Sequence, residues 1–224
     1  MIEAIILAIM ATIGVPGDDK PTDPGTALVE EASVLLRSGK PAEAMVLLDP
    51  AILHFEKTYA GEKRKIFCAT SGAETLLYLA SVAATKRDAI AIDPGWCDAL
   101  FMKGYALIDR GIPGGVVYLE KAIGMAPYHA RYLNELGYAL QTQKQWDQAL
   151  GIYQQAEDAA RLAGKELEKE ERGRALRGRG FIYIEQGKLD DAEKVYRAAL
   201  KLDPKDEKAK GELDYIHEQR GRSN

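Results

Sequence analysis

The sequence predicts an all-α fold: a solenoid of antiparallel helix pairs that ends in a C-terminal capping helix. Three observations predict it. Apolar residues recur at helical spacing in consecutive segments, short polar stretches connect these segments, and the pattern returns at fixed offsets along the chain. The 224 residues are 46% hydrophobic and 29% charged, which suits one substantial domain or two small ones and argues against wholesale disorder.

Net charge and cysteine content narrow the class of protein. The formal net charge is −4, and the chain contains no long run of Lys or Arg. Because affinity for a phosphate backbone depends on clustered cations, we expect no nucleic-acid partner. The two cysteines, Cys68 and Cys97, permit at most one disulfide, and we expect two free, mostly buried thiols instead.

The N-terminal segment differs in composition from the rest of the chain. Residues 1–15 are almost continuously apolar, too few to span a bilayer, and typical in length of a secretory signal, although no Lys or Arg precedes the apolar run. We expect a signal peptide and export to the periplasm. The alternative is a cytoplasmic protein whose apolar N-terminal helix packs on its neighbour. Residues 16–25, with three prolines and three aspartates, predict a linker.

The clearest helix pair lies within residues 130–163. Its first helix has Leu133, Leu136 and Leu140 on one face, its second begins near Trp146, and polar residues connect the two. Four positions recur 43 residues later: Gly137, Ala149, Tyr153 and Ala156 return as Gly180, Ala192, Tyr196 and Ala199. In the other direction, Gly104 precedes Gly137 by 33 residues.

Paired helices with a period near 34 residues resemble the tetratricopeptide repeat family. In that family a small residue of the first helix packs against an Ala of the second, and a proline follows the pair; Gly180, Ala192 and Pro204 match this pattern. The resemblance implies a right-handed superhelix whose first helices form a concave surface. It assigns residues 26–220 to a single solenoid. The repeats fall at residues 25–58, 62–94, 97–129, 130–163 and 173–204, with the cap at 205–220.

Two parts of this assignment depart from the regular pattern. The repeat at 62–94 is degenerate: residues 62–70 would form a short first helix, followed by a long helix from about Ala73. Nine extra residues near 164–172 carry Glu168–Arg172 and Glu170–Arg174 pairs at i, i+4 spacing, which predict lengthened helices at this joint. Pro50 falls inside a second helix and should kink it.

No catalytic constellation is recognisable in the sequence. His54, His129 and His217 are far apart in the repeat order, and none belongs to a metal-binding motif. We therefore expect a protein without catalytic residues, metal or cofactor. A less favoured interpretation, a hydrolase or thiol enzyme, would use Cys68, whose basic neighbours Lys63 to Lys65 could lower a thiol pKa.

The resemblance implies that partners bind residues of the concave surface. The candidates are Phe101, Tyr105, Arg131, Asn134, Tyr138, Arg174, Arg177 and Phe181. Aromatic rings provide contact area at low entropic cost, and Arg can hold a carboxylate through two hydrogen bonds, so an acidic or C-terminal peptide is the expected ligand. The alternative role of these residues is packing between helices. The Asn positions of the family's carboxylate clamp carry Tyr105 or Tyr138, so that mode of chaperone binding is not expected.

Together these features predict a non-enzymatic scaffold or adaptor that binds a protein, as a peptide or partner helix, in the groove. If exported, it would act in the bacterial cell envelope, without an integral membrane span, as a monomer or weak homo-oligomer. The alternative class is a structural protein whose repeats self-associate end to end or face to face. Charged residues of the cap, 205–220, oppose end-to-end stacking.

Overall fold

The computed structural model describes residues 23–83, 87–162 and 164–222. The predicted signal segment, 1–15, and most of the linker lie outside the described residues. The described part contains ten helices and two short strands. In chain order they are α1 (Pro24–Arg37), α2 (Pro41–Thr58), β1 (Lys65–Cys68), α3 (Gly72–Ala83), β2 (Ala89–Ile92), α4 (Gly95–Asp109), α5 (Gly115–Met125), α6 (Ala130–Thr142), α7 (Trp146–Ala160), α8 (Lys165–Glu185), α9 (Leu189–Leu202) and α10 (Glu207–Arg222).

Eight of the helices form four pairs, α1 with α2, α4 with α5, α6 with α7 and α8 with α9. Successive pairs stack through contacts of α2 with α4, α5 with α6 and α7 with α8. The first helices α1, α4, α6 and α8 also contact one another in series, so they form one continuous face. The cap α10 packs on α9 and buries Leu213 and Ile216. The predicted all-α solenoid with a C-terminal capping helix is confirmed.

Glycines permit the close approach of neighbouring helices. A Cβ atom on Gly137 of α6 would lie 2.7 Å from the ring of Tyr153 in α7, and one on Gly178 of α8 would lie 2.3 Å from the same ring. Tyr153 is 3% exposed, so its ring fills the space between three helices. The turn between α8 and α9 needs a glycine for a different reason, because Gly187 has φ +70°.

Residues 62–94 do not form a helix pair. Strands β1 and β2 pair in parallel, with Lys65 opposite Ala89, and α3 connects them. The helix predicted over residues 62–70 is therefore wrong, and the long helix predicted from about Ala73 is α3 followed by strand β2. Four-residue apolar runs cannot be assigned to helix or strand by periodicity, and parallel strands require a crossover helix such as α3. We call residues 65–92 the βαβ insert.

The two cysteines form a disulfide, so the expectation of free thiols is wrong. Cys68 at the end of β1 is bonded to Cys97 in the first turn of α4, with their Cα atoms 6.2 Å apart. Both side chains are buried. The prediction failed because the strand that brings Cys68 beside α4 was not predicted. The bond also removes Cys68 as the reactive thiol of the enzyme interpretation.

The nine extra residues lengthen α8 to 21 residues, as predicted, whereas α7 on the other side of the joint has 15 residues and is not longer than other helices of the solenoid. Arg172 donates to Glu168 at 2.7 Å, which confirms the first of the two expected pairs. The second is wrong, since Arg174 pairs with Glu135 of α6. Because Glu135 is almost fully buried, its carboxylate draws the Arg174 guanidinium across from the neighbouring helix.

Candidate functional site

Two adjacent depressions lie along the face formed by the first helices. The N-terminal depression has a volume of about 430 Å³ and is lined by residues of α1, α4, α6 and α8, among them Arg37, Phe101, Tyr105, Arg131 and Glu135. Four consecutive first helices thus contribute to one site. Such a surface suits an extended ligand that crosses several repeats.

The C-terminal depression continues the same face toward the cap. Its volume is about 490 Å³, and Tyr138, Arg177 and Phe181 line it together with Lys208 and Glu212 of α10. The capping helix therefore contributes side chains to the groove as well as covering the last pair. Arg174 lines both depressions and marks the boundary between them.

Seven of the eight candidate residues line these depressions, and Asn134 does not. Asn134 is fully buried, and its amide nitrogen donates to the backbone oxygen of Glu171 at 3.0 Å and to the Glu171 carboxylate at 2.7 Å. Its position inside the α6–α8 contact makes it a structural residue. We use the name groove below for the two depressions together.

Three aromatic side chains of the groove face solvent. Tyr105 is 37% exposed, Tyr138 45% and Phe181 39%. Phe101 differs, because it is buried and stacks on Tyr132 with 4.7 Å between ring centroids. Phe101 thus forms the floor of the N-terminal depression, while the exposed rings are available to a partner.

The three candidate arginines are in different electrostatic states. Arg174 is paired with Glu135, and Arg177 with Asp206, whose carboxylate also accepts from the backbone N–H of Ala209 at the start of α10. Burial opposes the charge of Arg174, but the nearby Glu135 carboxylate outweighs it and raises the pKa of Arg174. Both arginines therefore hold helices together.

Arg131 has no ion pair within the described part of the chain. Its guanidinium carbon lies 5.3 Å from the centroid of Phe101, a cation–π contact that leaves its hydrogen-bond donors free of any carboxylate. Of the three candidate arginines, Arg131 is the one able to bind an added carboxylate without breaking an existing salt bridge.

Acidic and aromatic residues missed by the sequence analysis complete the N-terminal depression. Tyr132 donates its hydroxyl to Asp98 at 2.5 Å, and burial raises the pKa of Asp98 although this hydrogen bond and Arg131 act in the opposite direction. His129 stacks on Tyr132 at 3.7 Å, and burial lowers its pKa to about 4. Helical spacing could have found Asp98, since it lies one turn before Phe101 on the face that also carries Tyr105.

Neither a metal site nor a membrane-spanning helix occurs in the described residues. Across these ranges, no three His, Cys, Asp or Glu side chains cluster closely enough to hold a metal ion. No helix there is both long and apolar enough to cross a membrane.

Comparison with known proteins identifies the repeats. Residues 127–205 match the tetratricopeptide repeat family model. This stretch of the chain is therefore similar to tetratricopeptide repeats. No curated protein matches its sequence. The matched region covers the last two helix pairs, α6–α7 and α8–α9, and begins just before α6.

Solved structures support the same architecture over nearly the whole chain. MamA from Desulfovibrio magneticus RS-1, residues 41 to the end, has a TM-score of 0.60 at 20% identity, covering 89% of this chain and 86% of MamA. PilF of Pseudomonas aeruginosa has a TM-score of 0.60 at 17% identity, covering 88% of this chain and 70% of PilF. A tetratricopeptide repeat protein from Parabacteroides merdae ATCC 43184 has a TM-score of 0.58 at 14% identity, covering 89% and 61%. At such identities the likeness concerns the fold alone.

Proposed function

We propose that this protein is a non-enzymatic adaptor that binds an extended peptide in the groove. Tetratricopeptide proteins are generally protein-binding scaffolds without catalytic activity, which supports the general class. The observation that carries the specific proposal is the pair of adjoining depressions. They place exposed aromatic rings, and an arginine that makes no ion pair with any described residue, along four first helices. An exposed aromatic residue that the core does not need is typical of a binding surface.

Arg131 gives the proposed ligand its chemistry. A carboxylate of the partner, either an acidic side chain or the C-terminus, would accept hydrogen bonds from Arg131, while apolar side chains would pack on Tyr105 and Tyr138. Arg174 and Arg177 would position the helices and not the ligand, because their guanidinium groups already form ion pairs with Glu135 and Asp206. This assigns carboxylate binding to one arginine of the original three.

A bead-bound peptide library, synthesised with free C-termini and again with C-terminal amides, tests the proposal. We expect the wild-type protein to bind a subset of peptides. The Arg131→Gln variant should bind this subset about tenfold more weakly, as expected for loss of a charge-assisted hydrogen bond. Arg110→Gln is the matched control, since Arg110 is exposed and lines neither depression.

Amidation separates the two carboxylate sources: weaker binding of the amides indicates the C-terminus, and equal binding indicates acidic side chains. Equal binding of all peptides by the wild-type and Arg131→Gln proteins would refute the role of Arg131. If Tyr105→Ser and Tyr138→Ser also left binding unchanged, the groove would not be the binding surface.

We further propose that the protein acts in an oxidising compartment of the bacterial envelope. The buried Cys68–Cys97 disulfide supports this, because disulfides persist in exported proteins and are rare in the cytosol. The apolar segment at residues 1–15 agrees with it.

Intact-mass measurement of the protein from its native cell tests this location. We expect a chain that has lost its first residues and that takes up no alkylating agent until it is reduced. Retention of residues 1–15 together with two alkylated cysteines before reduction would favour the cytoplasmic alternative.

A further inference from the structure

The outer edge of the βαβ insert is not covered by any other described element. Among the described elements, only β1 and α3 come close to the backbone of β2, and Ile92 at its end packs on the main core. A sheet of two strands is small, and an unpaired edge is a template for pairing with another strand.

The backbone of β2 has hydrogen-bonding groups directed away from β1. Lys65 N–H donates to the Asp88 carbonyl at 2.9 Å, and Ala69 N–H donates to the Ile92 carbonyl at 3.0 Å. Backbone groups alternate in direction along a strand, so Asp88, Ile90 and Ile92 face β1. The N–H and C=O groups of Ala89 and Ala91 therefore point outward, and no hydrogen bond to them occurs in the described structure.

Opposite charges flank this edge. Arg87 precedes β2 and Asp93 follows it, and within the described residues neither makes an ion pair. In an antiparallel pairing of two β2 strands centred on Ile90, Ala89 of each copy would lie opposite Ala91 of the other. The same register places Arg87 opposite Asp93 at both ends.

The direction of the backbone groups of β2 and the charges that flank it favour the same register. Ala89 and Ala91 are the residues whose backbone groups point outward, so the two Ala89–Ala91 pairs would be the hydrogen-bonded pairs and would contribute four hydrogen bonds. We propose that two copies of this chain associate through β2, forming a four-stranded sheet across a two-fold axis. The interface is isologous and differs from stacking of repeats, which would involve the helix pairs.

The assembly is expected to be weak because the shared surface is small. We expect a dissociation constant on the order of 10 to 100 µM. In sedimentation velocity of the full 224-residue chain, the mass should rise with concentration from the monomer value of 24.6 kDa toward twice that value. A mass that stays at 24.6 kDa at about ten times the upper value would overturn the proposal.

Charge exchange tests the register. Arg87→Asp and Asp93→Arg each place like charges opposite one another at both ends, and each should weaken the dimer about tenfold. The double variant Arg87→Asp/Asp93→Arg restores both pairs and should recover the wild-type mass profile. A dimer that both single variants leave unchanged must use another surface, which would refute the β2 pairing.

Cross-linking tests the two-fold axis without depending on charge. Ile90 would face Ile90 of the other copy in a non-hydrogen-bonded pair with Cα atoms about 4.5 Å apart, a separation that a disulfide can bridge. Ile90→Cys should therefore form a covalent dimer on mild oxidation. Asp88→Cys is the matched control, since Asp88 is exposed and would face Ile92 of the other copy. Circular dichroism verifies that both variants fold, and equal cross-linking of the two would contradict the axis at Ile90.

Discussion

The disulfide between Cys68 and Cys97 should contribute several kcal/mol to the free energy of unfolding. Its cysteines are 29 residues apart in sequence, so the bond closes a loop that contains α3 and β2. The chain-entropy relation for a loop of this length gives about 3.6 kcal/mol at 25 °C, within the range of about 2–4 kcal/mol common for native disulfides. For a chain of this size, that corresponds to a loss of roughly 7–14 °C in Tm on reduction.

Urea unfolding followed by circular dichroism measures the effect. Oxidised wild-type protein is compared with reduced wild-type protein and with Cys68→Ala/Cys97→Ala. Reduction removes the cross-link but retains the sulfur atoms, so the difference between the reduced protein and the double variant reports lost packing at two buried sites.

Hydrogen exchange locates the effect along the chain. Neighbouring units of a solenoid stabilise one another mainly by direct contact, so amides of β1 and β2 should lose protection far more than those of α9. Equal unfolding midpoints for the oxidised and reduced proteins would refute the cross-link contribution. Equal loss of protection in α9 would refute its local character.

Two further perturbations test the packing. Gly178→Ala should lower the free energy of unfolding by about 1–3 kcal/mol, measured by urea unfolding, because its Cβ would lie 2.3 Å from Tyr153. The control is Gly211→Ala, which lies in open space on α10 and should raise the free energy of unfolding by up to about 1 kcal/mol. A loss of stability at Gly211 equal to that at Gly178 would contradict the steric explanation. Lowering the pH from about 6.5 to 4 should reduce the free energy of unfolding by up to about 3 kcal/mol. The folded state keeps His129 neutral because its pKa is about 4, whereas His129 of the unfolded chain takes up a proton over this pH range. His129→Gln should flatten this pH dependence of urea unfolding, and an unchanged slope would assign it to other groups.

The sequence predicted the regular part of the fold because the helix pairs carry their own periodic signal. Spacing located α6, α7 and α9, and the charged insertion correctly indicated the long α8. The βαβ insert escaped prediction because the four-residue runs that form β1 and β2 contain too few positions to distinguish a strand from a helix. The disulfide depends on that strand, so it was missed for the same reason.

The sequence predicted which helix face the candidate arginines lie on, but not which of them form ion pairs inside the protein. Helical register placed Arg131, Arg174 and Arg177 on the face formed by the first helices, where they line the groove. It could not indicate which arginines have internal partners, because Glu135 and Asp206 reach them from other helices. Asn134 had the right residue type for ligand binding, but it is inside the contact with α8. Such distinctions depend on contacts between helices that a repeat pattern does not encode.

The position of Tyr153 bears on how this chain could be rearranged by duplication or engineering. The ring belongs to α7, but its two glycine contacts belong to α6 and α8, in different repeats. The helix pair α6–α7 is therefore not an interchangeable module, because one of the two glycines that make room for the Tyr153 ring is supplied by the following repeat. A transplanted or duplicated copy would need Gly178 from the next helix to go with it. For this protein, the unit that can be inherited or grafted intact is three helices long, although the sequence period contains only two.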